Sequence, residues 1–99
     1  MTVYVVAQLA FTDRARYRRY QDRFMEVLKG TKGRLLAADE QPVVLEGQWN
    51  RDKLVLLSFP DQAAYRAWSE SAAYQEIAKD RKAGADAVVL MVHGIPGSA

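Results

Sequence analysis

The stretch that decides the fold runs Gly33-Arg34-Leu35-Leu36-Ala37-Ala38, then Val43-Val44-Leu45-Glu46-Gly47-Gln48-Trp49, then Lys53-Leu54-Val55-Leu56-Leu57-Ser58-Phe59-Pro60. It reads as a strand interrupted at Asp39-Glu40-Gln41-Pro42, resumed over 43–49, and turned back by Asn50-Arg51-Asp52 into a second strand over 53–59. Glu46 then stands alone in the middle of an apolar strand. A carboxylate in that position costs several kcal/mol, on the order of a buried-ion penalty, unless an opposite charge or cleft water meets it. The reading therefore predicts either a cleft at Glu46 or an ion pair to Arg34 or Arg81.

Working outward, residues 2–11 (TVYVVAQLAF) are apolar on both alternating faces, with only Gln8 breaking the pattern. A strand of that kind is covered on both sides. Thr12 or Asp13 caps a following helix, whose apolar stripe is Tyr17, Tyr20, Phe24, Val27 and Leu28 and whose end is marked by Gly30 and Gly33. After Pro60, Asp61 caps a helix that turns Ala64, Tyr65 and Trp68 inward; Ser71 caps another carrying Tyr74, Ile77, Ala78 and Arg81, closed by Gly84. Residues 87–92 (AVVLMV) form the last strand.

The order is βαββαβ, which predicts an α+β, ferredoxin-like domain: a four- to five-stranded antiparallel sheet with helices on one face. The other sheet face is left bare although it is apolar. Two chains packed sheet to sheet in a homodimer would cover it, with Val5 or Leu56 as candidate contacts. Residues 1–95 are expected to form one domain and 96–99 a flexible tail.

Composition narrows the functional classes. The chain has 99 residues, 49% hydrophobic and 26% charged, which fits a packed domain and not a disordered one. Without cysteine it has no disulfide, thiolate nucleophile or cysteine metal site. The apolar start is too short for a signal or membrane helix, so a cytoplasmic location and no membrane partner are expected. Eight of the 14 basic residues lie between Arg14 and Arg34, but the net charge is only +2 and the aromatics face the core. That pattern suits a solvated basic face and argues against nucleic-acid binding.

The ordered set Tyr4, Asp13, Tyr17, Tyr20, Gly33-Arg34, Leu45-Glu46-Gly47, Trp49, Phe59-Pro60, Trp68, Ser71, Tyr74 and Arg81 resembles the domain of unknown function 1330 family of the dimeric α/β-barrel superfamily. The resemblance covers residues 2 to 95. Lys32 replaces a glycine of the family pattern, Lys53 or Arg51 stands for an arginine after the hairpin turn, and Ala72 replaces a proline. The resemblance implies a ferredoxin-like protomer and a sheet-to-sheet dimer. It implies no single reaction, since superfamily relatives include cofactor-free monooxygenases, haem-handling proteins and small-molecule isomerases or cyclases.

The candidate catalytic residues are Glu46 as acid or base, Arg34 as a bidentate anion clamp, and His93, the only histidine. Tyr20, Trp68 and Tyr74 are candidate ligand-binding walls, because aromatics lining a helix–sheet cleft bind flat organic molecules. No second histidine, cysteine or acidic cluster accompanies His93 at ligand spacing, so neither metal nor haem is expected, and no cofactor is assigned. The leading expectation is a cofactor-independent enzyme or binder of a small organic molecule. The alternative is a non-catalytic dimeric module whose cleft is filled.

Overall fold

A computed structural model describes residues 1–97, so the last two positions of the expected tail lie outside the described residues. Four strands, β1 (Val3–Phe11), β2 (Arg34–Asp39), β3 (Lys53–Phe59) and β4 (Ala85–His93), form one antiparallel sheet in the order β2-β3-β1-β4. Three helices, α1 (Arg14–Leu28), α2 (Gln62–Ser69) and α3 (Ala72–Gly84), lie in the connections. This is the ferredoxin-like α+β arrangement, with the second helical connection divided in two.

Local chemistry sets the helix ends. Asp13, Asp61 and Ser71 each accept a hydrogen bond from a first-turn amide, at 3.2 Å from Arg16, 2.7 Å from Ala64 and 3.2 Å from Tyr74. Each satisfies a donor that the helix itself leaves open. The Ser71 hydroxyl also donates to the Trp68 carbonyl at 2.7 Å, which fixes the break between α2 and α3. Gly84 sits where α3 meets α1: a Cβ there would lie 2.4 Å from the Tyr17 amide nitrogen. Its carbonyl accepts hydrogen bonds from both Thr12 and Asp13, at 2.9 and 3.1 Å.

Alternation along the strands sorts the side chains. Val3, Val5 and Leu9 of β1 and Leu57 and Phe59 of β3 are buried beneath the helices with Tyr17, Phe24, Leu28 and Ile77. The register places Tyr4, Val6 and Gln8 beside Ser58, Leu56 and Leu54 on one side and beside Val92, Leu90 and Val88 on the other. These residues form the opposite, open face, where Leu90 is 50% exposed. Of the two candidate dimer contacts, Leu56 lies on the open face, whereas Val5 does not; its parity buries it under the helices. The outer strands are β2, which carries an irregularity between Leu35 and Ala37, and the regular nine-residue β4.

The expected strand over 43–49 is not formed. Residues 40–52 leave the sheet as a loop, and Val43 and Leu45 are 81% and 93% exposed. Its last residues are tied across the end of β1 instead of along β3. The Trp49 indole donates to Gln8 at 3.0 Å, the Asp52 amide to the Leu9 carbonyl at 2.7 Å, and the Asp52 carboxylate accepts from the Phe11 amide at 2.8 Å. Pro42 has no N–H for a ladder, and Gly47 takes a φ of +89°, a left-handed conformation incompatible with a continuous strand.

Candidate functional site

Between the helices and the covered sheet face lies a cavity of about 370 Å³. Its floor is β1 and β3, through Val5, Leu9, Val55 and Leu57, and its walls are Tyr17, Tyr20 and Phe24 of α1, Trp68 of α2, and Tyr74 and Arg81 of α3. The rings meet one another directly. Trp68 lies 4.2 Å from Tyr74 and 5.7 Å from Phe24, centroid to centroid, with edge-on packing to Phe24. Tyr20 packs edge-on against Tyr74, and their hydroxyls share a hydrogen bond of 3.0 Å. Such offset and tilted pairs hold a rigid apolar wall with few rotamers to lose on binding.

Polar residues, Glu70, Arg81 and Lys82 among them, also line this space, and Lys53 is the buried one. Lys53 opens β3 on the same parity as Val55, Leu57 and Phe59, so its side chain enters the cleft, where only 5% of the residue is exposed. Its ammonium donates to Gln21 Oε1 at 3.0 Å and lies 5.0 Å above the Tyr17 ring. Among the described residues no carboxylate forms a salt bridge with it. Burial pulls its pKa below the ordinary lysine value, against the weaker opposing attraction of Glu40. Burial also pushes the Tyr17 phenol up to about 12, with Glu40 adding to the rise and Arg81 opposing it. The Tyr20 phenol is raised for the same first reason, reinforced by Tyr74.

Among the described residues, two buried donors have no hydrogen-bond partner: Trp68 Nε1 and Arg81 Nε. Both belong to residues that line the cleft. Unpaired donors of this sort are costly in a finished core and common where a ligand completes the hydrogen bonding.

The cleft thus brings together Tyr20, Trp68 and Tyr74, the expected walls. Arg34, Glu46 and His93 stand outside the cleft of one chain. Glu46 is exposed on the 40–52 loop, and the expected apolar strand around it is absent, as is an ion pair to Arg34 or Arg81 among the described residues. Arg34 starts β2 on the open face opposite Ser58 and is exposed; His93, opposite Val3, is exposed at the end of β4. Lys53 and Tyr17 were not singled out for the site by sequence. The available signal was parity: Lys53 is the one charged residue on the inward positions of β3.

No helix among the described residues is long and apolar enough to cross a membrane. Nor do they contain a group of three or more His, Cys, Asp or Glu placed to hold a metal ion.

An antiparallel ferredoxin-like sheet with an aromatic helix–sheet cleft and an apolar open face defines the class. The chain belongs to the domain of unknown function 1330 family, whose model matches residues 2–95. A search of curated proteins finds no match. Among solved structures it is similar to a protein of unknown function from Rhodopseudomonas palustris, at 15% identity and a TM-score of 0.80, covering 95% of this chain and 82% of that one. A dimeric ferredoxin-like protein of unknown function from Jannaschia sp. matches at 16% identity and a TM-score of 0.71, covering 95% and 100%. SnoaB, a cofactor-independent oxygenase from Streptomyces nogalater, matches at 12% identity and a TM-score of 0.67, covering 95% and 93%. At these identities the likeness is one of fold.

Proposed function

We propose that the chain binds a small aromatic organic molecule bearing an acidic or carbonyl oxygen, within the helix–sheet cleft, and that it needs no resident cofactor to do so. The observation that carries this reading is Lys53, a buried cation without a carboxylate partner inside an aromatic cavity. A buried charge is ordinarily paired, and one left unpaired in a cleft marks a functional position. Tyr20, Trp68 and Tyr74 would stack on the ligand rings, while Lys53 and Arg81 meet its oxygen. A purely structural dimeric module would require a filled cleft, and about 370 Å³ is not filled by the chain's own side chains.

The same reading includes a homodimer joined through the open sheet face. Its support is the apolar row of Val6, Leu56, Leu90 and Val92, together with the dimeric structural neighbour. A stable pairing would bury at least roughly 1,000 Å² in total.

Titration of the wild-type protein with 2-naphthoate, followed by tryptophan fluorescence, tests the cleft. Saturable quenching is expected, with binding weakened roughly tenfold or more in Lys53→Met, since a charge-assisted hydrogen bond contributes about 1.5–3 kcal/mol. Binding that is absent, or identical in the variant, would overturn the assignment.

A further inference from the structure

We propose that Lys53 is a covalent site for carbonyl compounds: its amine forms an imine with an aromatic aldehyde or ketone held in the cleft. This deepens the ligand assignment above and rests on it.

An imine-forming amine must be unprotonated, must reach the carbonyl carbon, and must be shielded from competing water. Lys53 is buried, lines the aromatic cavity, and is held by one hydrogen bond, to the side-chain oxygen of Gln21. That bond uses one N–H and leaves the nitrogen lone pair uncommitted once the ammonium has lost its proton. The groups around it are Tyr17 and Gln21 from α1 and Glu40 beyond β2, and its cavity is lined further by Glu70, Arg81 and Lys82. None of them is a carboxylate in salt-bridge contact to lock the ammonium. Desolvation favours the neutral amine, the same device that activates lysine nucleophiles in apolar pockets. The remaining lysines, Lys29, Lys32, Lys79 and Lys82, are all exposed.

The step balances without an oxidant or reductant. The Lys53 nitrogen lone pair forms a bond to the carbonyl carbon, and the carbonyl π pair moves to oxygen, which takes a proton. The resulting carbinolamine loses its oxygen as water while nitrogen gives up its protons to the departing oxygen and solvent, leaving C=N. The hydroxyls of Tyr17, Tyr20 and Tyr74 and the Arg81 guanidinium are the cleft groups that would steady the oxygen.

The test is borohydride trapping at neutral pH with 2-naphthaldehyde, read by peptide mass mapping. The expected result is a reduced adduct on Lys53 at least tenfold above that on any exposed lysine or the Met1 α-amine, suppressed by excess 2-naphthoate. Lys79→Arg should leave the Lys53 adduct intact, and Lys53→Met, checked for fold by circular dichroism, should remove it. Mapping on the wild-type chain decides the matter even if that variant fails to fold. Adducts spread evenly over exposed amines while 2-naphthoate still quenches fluorescence would overturn the imine and leave the binding assignment standing. Even labelling with no quenching would overturn both. Selective trapping at Lys53 without naphthoate binding would support the imine and refute the affinity for a free anion.

Discussion

Lys53 and Tyr17 have opposite consequences for stability as pH changes. The Lys53 ammonium is easier to deprotonate folded than unfolded, so below its ordinary value of 10.5 the native state bears a desolvation cost that eases as pH rises. Lys53→Met should therefore raise the neutral-pH stability by about 0.5–2 kcal/mol, with about 4–8 °C in melting temperature for each kcal/mol. The gap to wild type should close as pH approaches 10.5, and thermal melts across that range would check it. Tyr17 works the other way. Its stabilising contribution is fully present below the ordinary phenol value of 10.0 and is lost as pH climbs to about 12. Phenolate absorbance in the near ultraviolet should accordingly show Tyr17 and Tyr20 ionising only as the alkaline unfolding proceeds. The Glu46 position carries a contrasting expectation: because it is exposed on a loop, Glu46→Gln should leave the melting temperature unchanged.

At the scale of the elements, the crossing of α1 over the end of α3 depends on a missing side chain. A Cβ on Gly84 would meet main-chain atoms of Tyr17 and Asp13 that cannot swing aside, at 2.4 and 2.8 Å. Gly84→Ala should cost about 1–3 kcal/mol, as overpacking does, and lower the melting temperature without removing the fold. The caps at Asp13, Asp61 and Ser71 were legible in sequence because each acts on the turn that immediately follows it. The loop over 40–52 was not. Val43-Val44-Leu45 has the composition of a strand, but what draws the chain away are bonds to residues some forty positions distant, from Trp49 to Gln8 and between Asp52 and Phe11. Local pattern cannot register such partners. The aromatic walls were readable as helical stripes, whereas the burial of Lys53 in the cleft emerges only when the helices close over its strand.

For the whole molecule, the open face is where the proposed pairing would form. Leu56 sits at its centre, between Val6 on β1 and Ala37 on β2. Leu56→Asp would place a charge in the proposed seam. Size-exclusion chromatography with light scattering should find wild type at twice the chain mass and the variant at the chain mass or as aggregate. A wild-type chain that runs as a monomer at micromolar concentration would remove the proposed dimer. The cleft lies on the opposite side of the sheet, so the variant should keep its 2-naphthoate quenching wherever it stays monodisperse.

The regular outer strand β4 carries a further liability. Val88-Val89-Leu90-Met91-Val92 runs without charge, proline or glycine, and its outer main-chain groups have no strand beside them. Such a segment is a template for cross-β growth, a hazard that β2 limits through its irregular pairing and its terminal Arg34 and Asp39. Self-association through the neighbouring face would shelter the side chains of Val88, Leu90 and Val92 and so withdraw part of this ribbon from further pairing. Fibril formation, read by thioflavin fluorescence, should then be faster in Leu56→Asp than in wild type at equal chain concentration, because weakening the pairing raises the concentration of free chains.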